Sequence, residues 1–212
     1  MSGKVLTIAQ QKGGAGKTTL VAQLAVAFAA RGLGVALVDI DPQASLTRWF
    51  EARAGSAETA DIQLASVTGW RTQGTVEKLV ASSDLVLIDS PPHAETEAKI
   101  AVRAADLVLV PVQASPMDLW ATEPTLALAR SERRPVLIVV NRIATRMKIA
   151  ASIAARIEGL GVPVAETRIG DRTAFAASML DGRGVVETGP GTKAAEEIMA
   201  LAAEIMALLK LA

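Results

Sequence analysis

Short apolar runs recur along the chain, separated by longer stretches in which apolar residues return every three or four positions. The runs lie at residues 5–9, 35–40, 85–88, 107–112 and 136–140, and a less regular one lies at 62–67. They are rich in Val, Leu and Ile and do not alternate with polar residues, the pattern of central parallel strands covered on both faces. The intervening stretches 18–31, 95–105, 121–130 and 148–160 carry helical spacing, and Arg31-Gly32-Leu33-Gly34 supplies a stop after the first of them. Strands alternating with helices imply βαβ units. The expected fold is therefore α/β, a doubly wound and mainly parallel sheet flanked by helices. The segment 192–211 follows a Gly189-Pro190-Gly191 break and reads as one apolar helix in which Lys193 and Lys210 face Glu196, Glu197 and Glu204. That mixture suits a helix packed on the domain or on a partner better than a basic membrane-surface helix.

Size and composition narrow the classes. A chain of 212 residues that is 50% hydrophobic and 21% charged can close one sizeable core, and no repeat or Ser/Gly linker divides it, so residues 1–212 are expected to form a single domain. Cysteine is absent, which excludes disulfides, thiolate zinc sites, cysteine-held clusters and cysteine nucleophiles within this chain. Tyrosine is absent as well. The amino terminus lacks the apolar stretch of a secretory signal, and no run is long enough to span a bilayer, so a cytoplasmic protein without stable membrane insertion is expected. Net charge is zero, yet residues 130–193 hold 11 Lys/Arg against 6 Asp/Glu, leaving 11 against 16 elsewhere. A carboxyl-side excess of this kind is compatible with a surface that faces a polyanion.

The chemistry concentrates directly after the first strand. Gln11-Lys12-Gly13-Gly14-Ala15-Gly16-Lys17-Thr18-Thr19 leads into a helix. Strand, glycine-rich turn and helix make an anion cradle: backbone N–H groups converge on phosphate oxygens, the helix terminus adds partial positive charge, Lys17 reaches the terminal phosphates and Thr18 can ligate magnesium. A dinucleotide fingerprint fails, because Thr19 stands where its third glycine belongs. Asp89 follows four apolar residues and so sits at a strand's carboxyl end, where a carboxylate can hold magnesium. Asp41, two residues past another strand, can orient an attacking water, and Asp39 can support the metal or the segment that follows. Asn141 can hydrogen-bond a purine edge, with Arg142 beside it. A guanine-reading site would place aspartate three residues on, where Ala144 stands, so adenine and hence ATP with Mg2+ are expected.

The ordinary phosphate-loop pattern would put glycine at Gln11 and does not ask for Lys12. The run Lys12-Gly13-Gly14-Ala15-Gly16-Lys17-Thr18 resembles the deviant Walker motif of the ParA/MinD family, with Lys12 as its signature lysine. Val38-Asp39-Ile40-Asp41-Pro42-Gln43, Leu87-Ile88-Asp89-Ser90-Pro91-Pro92 and Val139-Val140-Asn141-Arg142 resemble that family's later stations, in its order. The resemblance implies a Mg-dependent ATPase that forms a homodimer on ATP, with Lys12 crossing to the partner's phosphates like an arginine finger. It also implies catalytic roles for Lys12, Lys17 and Asp41. Nucleotide contacts would come from residues 12–19 with Asn141 and Arg142, and metal contacts from Thr18, Asp39 and Asp89.

The missing cysteines and tyrosines set aside the family's cluster carriers, metalloid pumps and tyrosine kinases. Few residues precede the first strand, leaving no room for a helix-turn-helix domain. What remains resembles a short ParA-type partition or positioning ATPase. It would bind DNA nonspecifically when dimeric, associate with the nucleoid, and answer to a ParB-like adaptor on its cargo. Arg146, Lys148, Arg168, Arg172 and Lys193 are the basic residues expected to meet DNA. The alternatives are a MinD-like membrane effector and a metabolic ligase of the same fold. Trp49, Trp70 and Trp120 are expected at core edges or interfaces, and His93 is assigned no role.

Overall fold

A computed structural model describes residues 3–55, 61–92, 95–144, 155–157 and 159–211. Its strands are β1 (Lys4–Ile8), β2 (Val35–Asp39), β3 (Ile62–Ser66), β4 (Leu85–Asp89), β5 (Leu107–Gln113) and β6 (Val136–Asn141). Its helices are α1 (Lys17–Ala29), α2 (Ser45–Ala54), α3 (Arg71–Ser82), α4 (Glu95–Ala104), α5 (Pro116–Ser131), α6 (Thr173–Leu180), α7 (Val185–Thr188) and α8 (Lys193–Leu209). The strands form one sheet in the order β3-β2-β4-β1-β5-β6, with every pairing parallel. This is the doubly wound α/β fold expected from the apolar runs.

The unbroken apolar runs conceal a period of two. Leu6, Ile8, Leu37, Leu85, Leu87, Leu109 and Leu137 face one layer, where they pack with α1 and α8. Val5, Ala36, Val38, Val86 and Ile88 face the opposite layer, against Val76 of α3 and Ala101 of α4. Val108, Val110, Val112 and Ile138 pack on Leu126 and Ala129 of α5. Both faces are apolar because both are covered. For the same reason α1 is buried nearly all round, from Leu20 to Phe28, between the sheet and the helices α8, α7, α6 and α2.

The carboxyl-terminal helix is core. Ala194, Ala195, Ile198, Leu201, Ala202, Ile205 and Leu209 are buried at helical spacing against α1, with Thr192 Oγ1 accepting from Ala195 N–H at the start and Lys210 in left-handed conformation at the end. Among the described residues no helix is long and apolar enough to cross a membrane.

Some elements differ from the sequence reading. α5 starts at Pro116, five residues earlier than expected, because Ser115 caps it through the Asp118 N–H and proline suits the first helical turn. The short helices α2, α3, α6 and α7 were not read from the pattern, and the expected helix 148–160 lies mostly outside the described residues.

Sheet order fixes where chemistry can gather. β1 lies between β4 and β5, and the chain leaves it for β2 on one side and later returns to build β5 and β6 on the other. A crevice opens at the carboxyl ends of strands where the winding reverses. Register aligns Ile8 with Asp89 and Asp89 with Asp39, while Gln113 aligns with Asn141 on the other flank.

Candidate functional site

The loop between β1 and α1 occupies this crevice. Gly14 and Gly16 adopt φ of 78° and 90°, a region that favours glycine. A side chain at Gly16 would also meet the Asn141 amide, since a Cβ there would lie 2.7 Å from Nδ2. Side chains at the strand ends hold the loop's carbonyls. Asn141 Nδ2 donates to Ala15 O at 2.8 Å, Gln113 Nε2 to Gly14 O at 3.0 Å and Arg142 Nη1 to the same oxygen at 3.3 Å. In a trans peptide the N–H points opposite the C=O, so these bonds turn the N–H groups of Ala15 and Gly16 the other way. Asn141 thus spends one amide hydrogen on the loop itself, a role distinct from the purine contact expected of it.

A cavity of about 480 Å³ lies against this loop, lined by Gly13, Gly14, Gly16, Lys17, Thr18, Thr19, Asp41 and Arg142 together with Ser45, Pro92 and Met179. Lys17 is buried at the first position of α1. Burial lowers its pKa, while Asp89 and Asp41 pull it back up. Thr18 Oγ1 donates to Asp89 Oδ2 at 2.6 Å. Asp89 is buried at the end of β4, and its Oδ1 has no hydrogen-bond partner. Burial pushes its pKa up to about 7; the Thr18 hydroxyl opposes that rise, Asp39 adds to it, Lys17 opposes it and Asp41 adds to it. An orphaned buried carboxylate oxygen beside a threonine hydroxyl is a donor set that suits a hard divalent cation.

Asp39, expected as a metal ligand, spends both oxygens elsewhere. Oδ2 accepts from Thr47 N at 2.9 Å and Thr47 Oγ1 at 2.7 Å, and Oδ1 accepts from Asp41 N at 3.1 Å. It ties the segment 41–47 and the start of α2 to the sheet. Asp41 is half-buried, caps the turn through Gln43 N at 2.9 Å, and lines the cavity.

Lys12 does not line that cavity. Its Nζ lies 2.7 Å from Asp118 Oδ2 on α5, with 34% of the Lys12 side chain exposed and 3% of Asp118. Asp118 also accepts from Ser115 Oγ. Beneath this pair Gln10 is locked to α5 by Thr122 and Thr125, and Gln11 N donates to Thr125 Oγ1 at 3.2 Å. The front of the loop is thereby fastened to α5. Elsewhere on the first turns of α5, Met117 and Trp120 stand exposed.

A second cavity of about 250 Å³ adjoins the first at Gly16, Thr19, Arg142 and Ala176, and is closed by Ile169, Asp171 and Phe175. Segment 169–171 reaches it because Ile143 N donates to Ile169 O and Asp171 N to Ile143 O, extending the sheet edge beyond β6. Glu197 of α8 then pins the wall: it accepts from Gly170 N at 3.0 Å and from Arg172 Nε and Nη2 at 3.0 and 2.6 Å. Burial opposes ionisation of Glu197, but the Arg172 fork and the Gly170 N–H outweigh it and hold its carboxyl below the ordinary range.

Arg172, expected at a DNA surface, is instead committed to Glu197 within the chain. Arg168 is exposed, and Lys193 is exposed beside Glu196 at 3.4 Å. Arg146, Lys148 and His93 lie outside the described residues. Trp49 is buried and donates to Arg183 O, whereas Trp70 is exposed under Arg71. The sequence reading did not find Thr47, Gln113, Asp118, Glu197 or the wall 169–175; only Ser115-Pro116-x-Asp118, a capping pattern, carried a local signal.

Comparison with known proteins agrees with this geometry. The model of the CobQ/CobB/MinD/ParA nucleotide binding domain matches residues 6–185. Maintenance of carboxysome distribution protein A from Halothiobacillus neapolitanus is 33% identical over 210 residues, covering 95% of each chain. Protein ParA from Rhizobium radiobacter is 29% identical over 181 residues, covering 82% of this chain and 81% of its own. The solved structure of a Cyanothece McdA variant in complex with ATP superposes with a TM-score of 0.80 at 18% identity, covering 100% of this chain and 98% of that one, a likeness of fold. The loop, the sheet order and a family match that runs through most of the chain lead to one conclusion: this protein belongs to the ParA/MinD family of Walker ATPases, within the CobQ/CobB/MinD/ParA nucleotide-binding domains.

Proposed function

We propose that residues 1–212 work as one ATPase domain and as an ATP-driven positioning switch. Two copies close on ATP, the dimer binds DNA without sequence preference, and a ParB-like adaptor on the cargo stimulates hydrolysis and releases it. The triphosphate occupies the 480 Å³ cavity, with Lys17 on its terminal phosphates and the loop N–H groups on their oxygens. The base lies toward the 250 Å³ cavity walled by Ile169 and Phe175. Asp41 orients a water for attack on the γ-phosphorus; the bond to the β,γ-bridging oxygen breaks, leaving ADP and phosphate. Thr18 and Asp89 are the residues that would hold Mg2+. Bound there, the ion neutralises charge on the phosphates.

The observation that carries the dimeric reading is the position of Lys12. Its ammonium stands at the shoulder of its own cavity, partly exposed and held by Asp118, rather than inside it. A lysine so placed is available to a neighbour's phosphates once the pair with Asp118 opens. Two relatives cover 95% of both chains: one, 33% identical, is named for carboxysome distribution, and the other, 28% identical, is the chromosome-partitioning ATPase Soj of Thermus thermophilus; the higher identity of the first favours a large protein assembly as cargo. The packing of α8 on α1 removes the apolar tail as a reason to invoke a membrane.

The test is binding to random-sequence duplex DNA, with ATP or ADP, at two salt concentrations. Retention with ATP only, falling steeply with salt, is expected. Equal retention with ADP, or none in either state, would overturn the DNA-bound switch.

A further inference from the structure

A cavity of about 440 Å³ opens at the opposite end of the sheet, between α3 and α4 and beneath the start of β1. β1 separates it from the phosphate loop by roughly 15 Å of strand. Its wall is apolar, from Val5, Val76, Val80, Ile100 and Ala104, with Arg103, Arg134, Asp106 and Glu77 at its margin. That size and lining fall within the range of small-molecule sites.

The charges at the margin are unequally matched. Arg103 forks onto Glu132 through Nε at 2.8 Å and Nη2 at 3.1 Å. Asp106 accepts from Val5 N at 2.8 Å and has Lys4 Nζ 3.9 Å away. Glu77 accepts from Gln73 at 3.0 Å. Arg134 makes no ion pair among the described residues, and its Nε is buried without a hydrogen-bond partner. Its backbone is fixed by the turn at Arg133, where Arg134 N donates to Ala129 O at 2.9 Å. The buried Nε–H carries a desolvation cost, and the rest of the guanidinium, half-buried at the cavity margin, is a charged donor without an acceptor among the described residues that an incoming anion can engage.

We propose that this cavity binds a small amphiphilic carboxylate, its apolar body against Val76, Val80 and Ala104 and its carboxylate on Arg134. A carboxylate matches the planar fork of guanidinium, and the apolar wall excludes a fully hydrated anion such as free phosphate. The site is separate from the nucleotide crevice and does not depend on the positioning role.

The test is titration calorimetry of the full chain with octanoate and, in parallel, with 1-octanol. Saturable one-to-one octanoate binding is expected, about tenfold weaker in Arg134→Gln and about tenfold weaker for 1-octanol on the native chain. Val80→Phe, which fills the wall and leaves Arg134 in place, is expected to abolish it. Thermal melts confirm that each variant is folded; if Arg134→Gln does not fold, the 1-octanol and Val80→Phe arms decide. Absence of saturable octanoate binding, equal affinity for the alcohol, or unchanged affinity in Val80→Phe would each overturn the proposal.

Discussion

At the scale of single residues, the proposed switch would have to open the Lys12–Asp118 pair in order to close. Asp118 is buried, so its attraction for the ammonium is little screened, and opening a partly buried charged contact costs about 1.5–3 kcal/mol. Asp118→Asn keeps an acceptor for the Ser115 hydroxyl but lowers that cost. ATP-dependent association is then expected at protein concentrations about tenfold lower, read by sedimentation velocity across a dilution series. Association that weakens instead would place Asp118 in the closed contact itself. Residues of this kind also mark the limit of sequence reading. Lys17, Thr18, Asp41 and Asp89 stand out because each sits at a fixed offset from a buried strand or within a glycine-rich turn. Asp118 and Glu197 carry no such signal: one reaches the loop from a helix 106 residues away, and the other is 27 residues from the Gly170 it holds. Only tertiary packing gives them their roles.

At the scale of elements, α8 serves both the core and the wall of the 250 Å³ cavity. Leu201 is fully buried among the residues around α1, so Leu201→Ala is expected to cost about 2–5 kcal/mol in denaturant unfolding. A change near zero would mean that the helix is not core. Glu197 acts from the same helix. Its carboxyl is depressed below the ordinary value, so its stabilising contribution is present at neutral pH and is lost as pH falls through the folded-state pKa. Thermal melts from neutral to acid pH are expected to show native chain and Glu197→Gln far apart at pH 7 and converging in acid. A constant gap would remove the charge from the explanation. Helix positions were the least legible part of the fold. The strands announce themselves through continuous apolar runs because they are covered twice. α2 and α3 have short, mostly polar faces with few buried residues, and α6 lies in an apolar stretch without clear period.

At the scale of the whole molecule, the sheet order is what gathers the site on which the proposed switch rests. Parallel register brings Asp39, Asp89 and the phosphate loop to one end of the sheet, where Lys12 stands partly exposed against Asp118 of α5. In the proposed switch, phosphate binding and the lysine offered to a second copy come from one loop, so nucleotide state would reach assembly without a long relay. The fold class was legible in full, because burial on both faces of a parallel sheet writes itself into composition. One member of the expected DNA surface has a role that the sequence does not show: Arg172 pairs with Glu197, since a carboxylate on α8 meets it only after the chain has folded.

The central claim is that ATP joins two copies through Lys12, and molar mass in solution tests it most directly. Light scattering on a size-exclusion column, with ATP and Mg2+, is expected to give twice 22.0 kDa for Asp41→Ala and 22.0 kDa for Asp41→Ala combined with Lys12→Ala. A monomer in the first case, or an undiminished dimer in the second, would contradict the account.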